Sequence, residues 1–120
     1  MRRIFLLWLA GSFLLTTGCT STRAIKMKVG SEPNGAHVAF QLNSEKSSNA
    51  DWIYLGNTPV EAVRTMNLGE LQSASSVKLK VMRSGYHDRV KEWTGPGFWH
   101  EYKEKGGIFW APRLVPGDRQ

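Results

Sequence analysis

Three stretches of the chain alternate apolar and polar residues with a period of two. Ile25, Met27 and Val29 point away from Lys26 and Lys28; Val38, Phe40 and Leu42 repeat the spacing; Val77, Leu79 and Val81 alternate with Lys78, Lys80 and Met82. Successive side chains of a strand point to opposite faces, so each stretch predicts a strand with one buried face. Trp52 to Leu55 predicts a short aromatic strand closed by Gly56-Asn57, and residues 86–93, with Tyr86, Val90 and Trp93, another extended run. Between them lie turn signals. Gly30-Ser31-Glu32-Pro33-Asn34-Gly35 joins the first two strands, and the polar, serine-rich Asn43 to Asp51 predicts an exposed loop. Thr58-Pro59-Val60-Glu61 has the form of a capping box, and Val60, Val63 and Met66 would continue one side of a short helix toward Gly69. Its setting among short strands favours instead an all-β sandwich.

The first residues follow another logic. Arg2 and Arg3 precede an almost unbroken apolar run from Ile4 to Leu15, and Thr16, Thr17 and Gly18 lead to Cys19. A basic start, an apolar centre and a small-residue end are the parts of a secretory signal. The run falls short of the roughly 20 apolar residues that span a bilayer. Gly18-Cys19 resembles a bacterial lipobox, with its leucine, Leu15, one place earlier than usual. That resemblance implies cleavage before Cys19 and acylation of its thiol. Cys19 is the only cysteine of the chain, so no internal disulfide competes for it. Thr20 after the cysteine favours the outer membrane, facing the periplasm, in a Gram-negative cell.

Composition changes this picture little. Without residues 1–18 there is room for one domain, and losing two arginines lowers the formal charge from +6 to +4. No dense Lys/Arg run is present, and with secretion this argues against nucleic acid as a partner.

The turn residues then line up with a known family. Ser31-Glu32-Pro33-Asn34-Gly35-Ala36-His37-Val38 resembles the Pro-x-Gly-Ala opening of a PEGA domain, with Asn34 at the name-giving Glu position. Leu55-Gly56-Asn57-Thr58-Pro59 is similar to that family's Gly-x-Thr-Pro turn, and Val77 to Tyr86 to its later strand ending in Gly-Tyr. The resemblance covers about residues 25–93. It implies a small antiparallel β-sandwich that binds or supports, with no catalytic residues to carry over, and it selects a strand near 60–64 followed by a helical turn near 68–73. The expected organisation is a signal peptide over 1–18, a lipidated tether over 19–24, the PEGA-like β domain over 25–93, and an aromatic, glycine-rich C-terminal hairpin or tail over 94–120.

Candidate chemistry is sparse. His37, His87 and His100 lack the close spacing of a metal site, no nucleophile elbow or phosphate loop occurs, and no enzyme, metal or cofactor is expected. Lys26, Lys28, Lys78 and Lys80 form two lysine rows that would repel if directly paired. They are solvent-face residues or an anionic-partner face. Trp93, Phe98, Trp99, Tyr102, Phe109 and Trp110 fall within eighteen residues. They either complete the core or supply an interface to an envelope protein or a polysaccharide, with Trp93, Phe98, Trp99, Tyr102 and Trp110 as interface candidates. The expected role is a membrane-anchored envelope lipoprotein acting as an interaction or scaffolding module; the rival is recognition of peptidoglycan or another polysaccharide.

Overall fold

The computed structural model describes residues 21–44 and 51–117. The expected signal peptide, Cys19 and the start of the tether lie outside the described residues. The elements run β1 (Thr22–Val29), β2 (His37–Asn43), β3 (Ile53–Asn57), β4 (Val60–Asn67), α1 (Leu68–Gln72), β5 (Ser76–Met82), β6 (Arg89–Trp93), α2 (Gly95–Lys105) and β7 (Ile108–Trp110). They form two sheets, ordered β4-β1-β7 and β3-β2-β5-β6.

The alternation read from the sequence places the core. Ile25, Met27 and Val29 from one sheet, and Val38, Phe40, Val77, Leu79 and Val81 from the other, are buried in a single cluster. Each such side chain withdrawn from water contributes about 1.5–3 kcal/mol, enough to bind the inner faces as a β-sandwich. All neighbouring strands are antiparallel except β1 and β7, which pair in parallel through Met27↔Ile108 to Val29↔Trp110. The region 60–67 is strand, fully paired with β1, and the helical turn follows as α1. Asn67 caps that turn by accepting from the Glu70 N–H at 2.9 Å.

The turns around Gly35 and Thr58 meet at one end of the sandwich. The buried Thr58 hydroxyl lies 2.6 Å from Ser31 Oγ and accepts from the Ala36 N–H at 3.0 Å. Backbone bonds from Gly35 N to Thr58 O and from Thr58 N to Ala36 O complete the lock. Gly56 sits at φ 137°, where a β-carbon would come within 2.9 Å of Val60 Cγ2. Only glycine fits that bulged corner, where the β2–β3 register shifts between Val38 and Ala39.

The chain after Trp93 departs from expectation. The predicted hairpin or tail is helix α2 followed by β7, and both belong to the domain. Thr94 caps the helix by accepting from the Gly97 N–H, Pro96 stands in its first turn, and Gly106 ends it in the left-handed conformation. Glycine and proline at these positions start and stop a helix instead of forbidding one. Phe98, fully buried, meets Phe40 at 6.3 Å and Trp93 at 5.1 Å between ring centroids. Tyr102 donates to the Ala24 carbonyl at 3.2 Å, so α2 ties the two sheets together. Its start presses on α1: a β-carbon at Gly95 would stand 2.1 Å from the Leu71 carbonyl oxygen. The predicted tether also gives way, because β1 begins at Thr22 and Ser21 O already accepts from Leu68 N.

Candidate interaction surfaces

The four lysines do not form one face. Lys26 and Lys28 lie on the outer side of β1, and Lys78 and Lys80 on the outer side of β5, in the other sheet. Since the inner sides of these strands share one core, the two lysine rows point away from each other. Their local partners differ too. Lys28 stands opposite Glu61 in the β1–β4 register, and the Lys26 ammonium lies 3.4 Å from the Glu61 carboxylate, with both side chains about half exposed. Lys78 faces Gln41 and Glu92 across its neighbouring strands, while the Lys80 ammonium lies 4.5 Å from the centre of the Trp52 ring.

The C-terminal aromatics divide between interior and surface. Phe98 is core and is removed from the interface candidates. Trp93 is partly buried against Phe98 and donates its indole N–H to Glu101 at 2.9 Å. Trp110 packs against the core margin, opposite Val29. Trp99 and Tyr102 stack at 5.5 Å with planes only 17° apart, forming a half-buried shelf on α2. The Arg23 guanidinium lies 5.5 Å and the Lys103 ammonium 5.7 Å from the Trp99 ring centre. The near-parallel aromatic pair of this region is thus Trp99 with Tyr102.

A further surface escaped the sequence reading. On the outer side of the four-stranded sheet, Tyr54 is 59% exposed, Val90 50% and Trp52 37%. Tyr54 pairs in register with Ala39, itself opposite Lys80, so these side chains share one face. His37 joins them, its ring 5.8 Å from Tyr54, whose hydroxyl donates to Asn57. The signal was present: Trp52 and Tyr54 share one parity and Ile53 and Leu55 the other. Reading the segment only as an apolar run hid the outward pair.

A cavity of 250 Å³ opens beside β7, lined by apolar groups including Val29, Pro59, Phe109 and Trp110, with Lys28 the charged side chain of its lining. Among the described residues no three His, Cys, Asp or Glu side chains gather as a metal site would require. His37 lies at the start of β2, His87 before β6, and His100 on α2, 3.5 Å from Glu104. Among the described residues no helix is long and apolar enough to cross a membrane. Comparison with protein families, with characterised proteins and with solved structures finds no match to this chain.

Proposed function

We propose that the protein is a lipid-anchored module of the bacterial cell envelope, in which a PEGA-like sandwich serves a non-catalytic interaction or scaffolding role. The observation that carries this reading is the Gly18-Cys19 junction, which closes the apolar run and holds the sole cysteine two residues before Ser21. Acyl chains on that thiol anchor well, each buried CH₂ contributing about 0.8 kcal/mol. The interlocked turns around Thr58 give the PEGA-like motifs a structural purpose, and the exposed face bearing Trp52, Tyr54 and Val90 offers apolar and aromatic area to a partner.

Cys19→Ser tests the anchor: the variant is expected in the soluble fraction, while the wild type sediments with membranes and gains the mass of its acyl groups. A variant that still sediments with membranes defeats the reading. The exposed Trp52 and Tyr54 also suit stacking on sugar rings, which keeps polysaccharide recognition as a second reading. Affinity purification of the acylated protein from native membranes separates the two, through recovery of a protein or of peptidoglycan fragments.

A further inference from the structure

The chain between the anchor and the folded domain is very short. Ser21 O is fixed by the Leu68 N–H at 3.0 Å, and only Thr20 separates Ser21 from Cys19. An extended chain advances about 3.3–3.6 Å per residue, which keeps Cys19 within about 7 Å of Ser21. A bilayer of roughly 40–45 Å carries a hydrocarbon core of ~30 Å, leaving headgroup layers about 5–8 Å deep. An acyl group on Cys19 therefore draws this end of the sandwich against the headgroups.

The side chains at this end have the chemistry for that contact. Arg23 is the second residue of β1, and its guanidinium flanks the Trp99 ring at 5.5 Å. Lys103 flanks the same ring at 5.7 Å, and Tyr102 stacks on it while bonding to the Ala24 carbonyl. The carboxylates of α2 are engaged elsewhere: Glu101 with Trp93 and Lys105, Glu104 with His100. Indole and phenol rings favour the headgroup level, and basic side chains there meet anionic phosphates.

We propose that Arg23, Trp99, Tyr102 and Lys103 form a membrane-contact patch that engages the anionic headgroups of the bilayer holding Cys19, and so fixes the orientation of the domain. The inference rests on acylation of Cys19. With that anchor in place, contacts too weak to recruit a free protein operate at high effective concentration. The orientation leaves the turns around Thr58, at the other end of the sandwich, directed away from the membrane.

The test uses the processed, acylated protein in vesicles of phosphatidylethanolamine and phosphatidylglycerol, with brominated phosphatidylglycerol as the quencher. After removal of residues 1–18 the tryptophans are Trp52, Trp93, Trp99 and Trp110. Brominated lipid is expected to quench part of the emission, and that part is lost in Trp99→Phe. The Arg23→Gln/Lys103→Gln double variant, equally acylated, is expected to show weaker quenching. An acylated wild type without quenching, or Trp99→Phe with all of it, overturns the orientation alone and leaves the patch to a protein partner. A purified chain without acyl mass overturns the anchor reading and the patch together.

Discussion

Strands β1 and β5 carry almost the same text, Ile-Lys-Met-Lys-Val and Val-Lys-Leu-Lys-Val, and they hold equivalent places in two different sheets. Each is an inner strand, and each turns three apolar side chains into the common core. Their lysine faces diverge. On β1 the neighbouring strand supplies Glu61, and the contact is an ion pair in water. On β5 the position opposite Lys80 is Ala39, and the ammonium settles over Trp52 instead. The pattern within a strand decides which side is buried; the neighbouring strand decides what the other side does.

Four substitutions break this comparison with decreasing force. Ile25→Ala on β1 and Leu79→Ala on β5 are each expected to cost about 2–5 kcal/mol in urea unfolding, because both leave a cavity in the same core. A loss below about 1 kcal/mol for either would show that its strand does not share that core. Lys80→Ala is expected to cost about 0.5–1 kcal/mol, with a change in tryptophan emission as Trp52 loses its cation. An unchanged spectrum and midpoint would remove the contact from the account. Lys26→Gln is expected to cost at most about 1 kcal/mol in low salt, since exposed ion pairs are weak. That small difference should vanish in high salt, where the Debye length falls to about 3 Å. A loss that survives high salt would mean that the Lys26 stem, not its charge, stabilises the sheet.

Much of the sandwich was legible because burial on one side of a strand leaves a period-two trace. The strands around Ile25, Val38 and Leu79 follow from that trace, and Thr58-Pro59 closes a corner where local rules alone would begin a helix. Helix α2 was hidden by Gly95-Pro96-Gly97, which reads as loop until Thr94 is recognised as its cap and Gly106 as its end. The parallel pairing of β7 left no local mark, since three residues are too few for periodicity and their partner lies at the far end of the chain. The surface was less legible than the core. Composition drew attention to the dense aromatics after residue 93, yet Phe98 fills the interior, and Trp52 and Tyr54 occupy the open face. Density along a sequence measures neither exposure nor direction.

The parallel pairing of β1 with β7 also governs the order in which the domain can be completed. Residues 22–29 are synthesised well before residues 108–110, and the sheet between them closes only when both exist. Contacts so remote in sequence slow folding, because the loop must close before the pairing is gained. Through that interval β1 keeps one edge unsatisfied, and an unsatisfied edge is where strands of separate molecules join. A nascent chain halted before Ile108 is thus an aggregation hazard, however well its other strands have formed.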